Sequence, residues 1–89
     1  MITWTVYLAR KAYKQYQKLP KRIQDLTDLA LIDLESQGIL PTGWDIKKTG
    51  KHEYRMRLTY RYRMRYRITE TNELVIEVFY LGHRRDAYK

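Results

Sequence analysis

Between Tyr54 and Ile68 the chain keeps a two-residue period. Tyr54, Met56, Leu58, Tyr60, Tyr62, Met64, Tyr66 and Ile68 fill the even positions. Arg55, Arg57, Arg61, Arg63, Arg65 and Arg67 fill the odd ones, with Thr59 the single interruption. Successive side chains of a strand point to opposite faces, so this stretch makes a sheet with one apolar face and one guanidinium face. A helix would scatter both kinds around its circumference. Fifteen residues are too many for one strand of so short a chain, which places a turn near Thr59–Arg61.

Something must cover the apolar face, and the rest of the chain supplies it. Ile2, Trp4, Val6 and Leu8 alternate with Thr3, Thr5 and Tyr7, as in a half-buried first strand. Ala9, Ala12, Tyr13, Tyr16 and Leu19 then fall at spacings of three and four, the period of a helix face. Pro20 ends that helix or opens the next. A second helix is expected over about 21–37, with Ile23, Leu26, Ala30 and Leu34 on one face and Gly38 as its stop. Residues 39–51 read as a loop that Trp44 pins to the core. Asn72 marks a turn, and Leu74 to Leu81 reads as a central strand covered on both sides. The expected fold is α+β, in the order β-α-α-β-β-β. A helical hairpin packs on one face of a small, mainly antiparallel sheet and leaves the arginine face open. Eighty-nine residues make a single domain, 1–89, with no room for a second core.

Charge is segregated along this framework. Residues 1–22 carry six basic groups and no acid, and residues 23–46 carry five acids and no Lys or Arg. Residues 47–67 hold nine basic groups against Glu53 alone, within a net charge of +8. Such a block repels itself unless something anionic faces it, phosphate first and membrane headgroups second. The absence of cysteine excludes disulfide scaffolds and thiolate metal sites, and two histidines cannot build a structural zinc site. No apolar run approaches the ~20 residues of a membrane span, and the start lacks the pattern of a signal peptide. A cytoplasmic protein is expected. Guanidinium groups bind phosphate through paired hydrogen bonds and release counterions, so the open face points to nucleic acid. The alternating tyrosines are expected in the core.

The later segments carry a resemblance. Lys18-Leu19-Pro20, Gly50 before Tyr54-Arg55-Met56-Arg57, Tyr62-Arg63-Met64-Arg65-Tyr66, and Gly82-His83-Arg84 followed by Tyr88 occur in an order and spacing that resembles the RelE/ParE superfamily of toxins from toxin–antitoxin pairs. The likeness covers essentially the whole chain and is closer to the RelE branch, whose members cut messenger RNA in the ribosomal A site. It implies phosphate-stabilising arginines at Arg63 and Arg84, a terminal catalytic Tyr88, and RNA contacts from Arg55 and Arg57. Lys47, Lys48, Lys51 and Arg65 join the RNA-binding set through the same basic block, with His52 a loop residue near the RNA. It further implies a metal-independent reaction with no cofactor, in which a 2′-OH attacks the adjacent phosphate. Preplaced cations are the main requirement, because negative charge gathers on the phosphate oxygens.

Proton transfer has several candidates. Surrounding cations would favour the Tyr88 phenolate, and His83 has the better intrinsic pKa but reads more readily as a turn residue. Some RelE-type enzymes carry lysines where this chain has Arg55 and Arg57, and arginine does not act as a base. A lysine base would have to come from Lys47, Lys48, Lys51 or Lys89. Lys48 also stands where the family commonly has an apolar residue. The resemblance implies a cognate antitoxin, acidic or partly disordered, and the ribosome with its messenger as partners, with no membrane. Two other functions remain open: a ParE-like gyrase inhibitor without a nuclease site, and a non-catalytic RNA- or ribosome-binding module.

Overall fold

A computed structural model of the chain describes residues 3–69 and 74–87. Strand β1 (Thr5–Leu8) leads into helices α1 (Arg10–Gln17) and α2 (Lys21–Gln37). Strands β2 (Asp45–Gly50), β3 (Glu53–Arg57), β4 (Tyr62–Ile68) and β5 (Val75–His83) follow, and a 3-10 turn, Arg84–Asp86, comes after them. The strands form one sheet in the order β1-β5-β4-β3-β2. Strands β2 to β5 run as an antiparallel meander, and β1 joins β5 in parallel. No helix among the described residues is long and apolar enough to cross a membrane.

The α+β architecture matches the expectation, with one strand more. Residues 45–50, read as loop, pair with β3 through Asp45↔Arg57, Ile46↔Met56, Lys47↔Arg55 and Lys48↔Tyr54. The segment shows little alternation because it is an edge strand: both of its faces are wet, and only Ile46 and Thr49 are drawn partly inward. Charged side chains on such an edge discourage pairing with other chains. The turn expected at Thr59–Arg61 separates β3 from β4. The turn expected at Asn72 and the strand start expected at Ile2 lie outside the described residues.

The helices cover the face that carries Met56, Met64, Tyr66, Ile76, Val78 and Leu81, each almost fully buried. On α2 the buried line is Ile23, Thr27, Ala30 and Leu34, with Leu26 only partly covered. Thr27 enters a core position because its hydroxyl donates to the Ile23 carbonyl at 2.8 Å, leaving a methyl to pack. On α1 Ala12 is buried and Tyr16 and Leu19 pack inward, while Tyr13 faces solvent. Each fully buried large side chain stabilises the fold by about 1.5–3 kcal/mol.

Polar clasps fix the periphery. The Trp44 indole donates to Asp33 at 2.8 Å, holding the approach to β2 against α2. Pro20 stands at the N-cap of α2, its carbonyl accepting from Ile23 and Gln24. Gly38 closes α2 at φ +88°, and a Cβ there would lie 2.9 Å from the Trp4 indole nitrogen, so glycine is required twice over. The Tyr66 hydroxyl donates to the Ile39 carbonyl at 2.5 Å, and burial pushes its pKa well above the ordinary tyrosine value.

Candidate nucleic-acid interface

The face turned away from the helices carries three rows of side chains across the strands. One row runs Glu53–Arg67–Glu77–Tyr7, the next Lys47–Arg55–Arg65–Tyr80, and the last Asp45–Arg57–Arg63–Gly82. Directly opposed residues have Cβ atoms about 5 Å apart, so like charges in a row repel and opposite charges attract. Their composition therefore decides what each row can do.

The first row neutralises itself. Arg67 Nε donates to Glu77 Oε1 at 2.8 Å, and the Tyr7 hydroxyl donates to Glu77 Oε2 at 3.0 Å. Burial, then the bond to Glu77, raises the Tyr7 pKa. The Arg67 guanidinium also lies 4.6 Å from the centre of the Phe79 ring. Phe79 is the extra residue of a β-bulge in β5, since Tyr66 pairs with Val78 and Arg65 with Tyr80.

The middle row sets three cations abreast. Arg65 Nη1 donates to the Ala87 carbonyl at 2.8 Å, and its Nη2 reaches Glu53 at 3.5 Å. Arg55 Nη1 is buried and has no hydrogen-bond partner among the described residues. Lys47 is exposed beside it.

The last row mixes a clamp with a free edge. Arg63 is only 7% exposed, and its Nη1 donates to the carbonyls of Thr59, Tyr60 and Tyr62 at 2.7, 3.0 and 3.2 Å. It thus ties down the β3–β4 turn. Arg57 stands 3.4 Å from Asp45, both well exposed, a pairing that holds Arg57 only weakly. Gly82 completes the row because the Tyr80 hydroxyl leans over it to donate to the His83 carbonyl at 2.8 Å. A Cβ at position 82 would lie 2.8 Å from that hydroxyl.

Arg84 follows at the turn end of the face. Its backbone N–H donates to the Arg61 carbonyl at 2.7 Å, and its guanidinium lies 4.4 Å from the centre of the Tyr60 ring. His83 caps the 3-10 turn, Nδ1 accepting from the Arg85 N–H at 3.2 Å. In the neutral ring this places the proton on Nε2.

The structure therefore brings Lys47, Arg55, Arg57, Arg63 and Arg65 onto one face, with Arg84 at its turn end. Lys48 leaves the set: it pairs with Tyr54, on the helix-covered side of the sheet, because neighbours in a strand alternate faces. Lys51 and His52 sit in the β2–β3 hairpin turn, beyond the neutralised row and at the opposite end from Arg57, with His52 at φ +63°. Tyr88 and Lys89 lie outside the described residues. Ala87, held by Arg65, is the last residue before them. Among the described residues no three of His, Asp and Glu gather where they could hold a metal ion. Sequence reasoning missed Tyr60, which it placed in the core although its own turn assignment at Thr59–Arg61 breaks the two-residue parity there. Tyr60 is 65% exposed.

A groove of about 360 Å³ opens on the other side of His83, between α1 and the end of β5, lined by Lys11, Gln15, Lys18, Tyr62 and Tyr80. Gln15 accepts the Leu81 N–H there at 2.9 Å, closing the part of the β5 edge that β1 does not reach.

No family model matches the sequence, and no curated protein matches it. Solved structures do. The RelE of a RelE–RelB complex from Pyrococcus horikoshii OT3 superposes with a TM-score of 0.75 at 25% identity, over 96% of this chain and 99% of that one. A RelB–RelE complex from Methanococcus jannaschii gives 0.75 at 22%, over 91% and 93%. The YoeB dimer from Staphylococcus aureus gives 0.74 at 15%, over 90% and 95%. Two helices on one face of a five-stranded, mostly antiparallel sheet are what this chain shares with these structures, and its fold is that of the RelE-like toxins.

Proposed function

We propose that this chain is the toxin of a toxin–antitoxin pair, a metal-independent endoribonuclease that cleaves messenger RNA in the ribosomal A site and so arrests translation in the cytoplasm. The observation that carries the reading is the cationic middle row, in which Lys47 and Arg55 stand beside Arg65, flanked by the exposed Arg57 and Arg84. Arg55 is half-buried on that row, and a phosphate oxygen is an acceptor that guanidinium groups suit.

The 2′ oxygen attacks the adjacent phosphorus, and the bond from phosphorus to the 5′ oxygen breaks. A 2′,3′-cyclic phosphate and a 5′-OH remain. The 2′ proton passes to a base, and the departing 5′ oxygen takes one up. Arg57 and Arg84 stabilise the charge that builds on the nonbridging oxygens, a role suited to groups that stay protonated at all working pH values. Arg63 acts differently from the plain phosphate ligand that the resemblance implied. Its Nη1 holds the turn that faces Arg84. Tyr88 is the proposed proton carrier, because the Nδ1 lone pair of His83 is engaged in the cap.

The RelE relatives from Pyrococcus and Methanococcus were seen bound to RelB. By that analogy this chain takes a cognate antitoxin, and its charge of +8 calls for an acidic one. Primer extension on a defined messenger in a reconstituted translation reaction, with and without ribosomes, tests the activity. Ribosome-dependent cuts inside codons that vanish in Tyr88→Phe support the nuclease and the role of Tyr88. An uncut messenger turns the reading to gyrase inhibition.

A further inference from the structure

Arg84 is exposed, yet its proposed role is demanding, because a guanidinium can stabilise a phosphorane only if it is already in place when charge develops. A long, unrestrained side chain is usually elsewhere, and immobilising it costs rotamer entropy. The structure supplies a restraint that the resemblance does not include. The Tyr60 ring lies under the Arg84 guanidinium at 4.4 Å, within the range where a cation is attracted to an aromatic face.

Tyr60 can hold Arg84 only if it is itself held, and it is. Arg63 Nη1 donates to its carbonyl and to those of Thr59 and Tyr62. The Thr59 hydroxyl accepts from the Arg61 and Tyr62 N–H groups at 3.3 and 3.2 Å. The Arg61 carbonyl accepts from the Arg84 backbone at 2.7 Å. Both ends of the Tyr60–Arg84 contact are thereby anchored to the same turn. A large ring standing 65% exposed contributes little to the core, so its place at the turn needs another reason.

We propose that Tyr60 is a positioning residue for Arg84: its ring fixes the plane of the guanidinium so that the N–H edge stays turned to the substrate phosphate. The inference rests on the nuclease reading. Because Tyr60 acts through Arg84, its loss lowers kcat and leaves KM nearly unchanged, and it matters far less once the Arg84 guanidinium is gone.

The test compares Tyr60→Phe and Tyr60→Leu, each with Arg84 intact and in an Arg84→Lys background, on ribosome-bound messenger. Exposed cation–π contacts are weak, so Tyr60→Leu should lower kcat by about two- to five-fold, and Tyr60→Phe should restore it. In the Arg84→Lys background Tyr60→Leu should add a much smaller loss, since the planar group it holds is missing. In the free protein, the Arg84 Hε proton should show a ring-current shift that survives in Phe and disappears in Leu. A Leu variant that cleaves like wild type overturns the inference and leaves the nuclease reading intact. An equal loss in both backgrounds also overturns it, and shows instead that Tyr60 touches RNA directly. A wild-type protein that cuts nothing, while the Hε shift is present, overturns the nuclease reading and the positioning role with it.

Discussion

Arg67 and Arg57 stand on the same face of the same sheet, one on β4 and one on β3, and a residue count treats them alike. Arg67 meets Glu77, which also takes the Tyr7 hydroxyl, so that end of the face is closed by partners from three strands. Arg57 meets Asp45, at 3.4 Å and in solvent. Between them, in the Lys47–Arg55–Arg65 row, Glu53 reaches Arg65 at 3.5 Å. The sheet thus sets Glu53 and Glu77 together at one end, and at the other sets the exposed Asp45 against both Arg57 and Arg63. What separates structural arginines from available ones is where the few acids fall in the strand register.

The largest break in that symmetry is expected at Arg84. Arg84→Ala should lower cleavage by about 10²–10³-fold in primer extension, whereas Arg67→Ala should stay within about two-fold of wild type. Equal losses would mean that the neutralised end takes part in catalysis.

Arg63 should show itself in stability first. Removing its guanidinium leaves the turn carbonyls of Thr59, Tyr60 and Tyr62 without their shared donor. Arg63→Ala should cost about 1–3 kcal/mol in urea unfolding. Glu77→Gln should cost about 1 kcal/mol, because Arg67 loses its anionic partner and one of the two acceptor oxygens shared with Tyr7 is replaced by a donor. It should leave cleavage unchanged, and a loss of activity there would blur the division between the two ends.

Salt offers a finer comparison. If Arg57 meets a phosphate, Arg57→Ala should reduce the slope of log K against log salt for single-stranded RNA by about 0.7, while Arg67→Ala should leave it unchanged. Alkali probes the closed end through Tyr7, and the helix packing through Tyr16. Tyr16 donates to Asp28 at 2.7 Å, and that bond, then burial, raises its pKa from 10.0 to about 12. The folded state favours the protonated phenol. This contribution is complete below pH 10 and is lost as pH rises through about 12. Tyr16→Phe should flatten the stability–pH curve over that window.

The sequence made the helices, the sheet and its arginine face legible, because period-two and helical spacing report directly on which side of an element is buried. It hid β2, whose edge position removes the apolar alternation that marks a strand. It hid the role of Thr27, since a hydroxyl bonded to its own helix packs like a methyl. At the site, the arginines could be counted but not ranked. The pairing of Arg67 with Glu77 and the burial of Arg63 depend on register and on a bulge at Phe79, neither of which has a local signature. Lys48 was grouped with Lys47 on charge, and the alternation of a strand placed them on opposite faces.

The parallel pairing of β1 with β5 bears on the order in which the molecule is made. Tyr7 and Glu77 are partners 70 residues apart, so the first strand emerging from a ribosome has nothing to pair with until nearly the whole chain has followed it. Closing that loop depends on non-local contacts, the slow class of folding step. During that interval α1 and α2 can form, but the cationic rows are incomplete, since β4 still lacks β5 as its neighbour. A chain built this way acquires its finished charged surface late, only once β5 has taken its place beside β4.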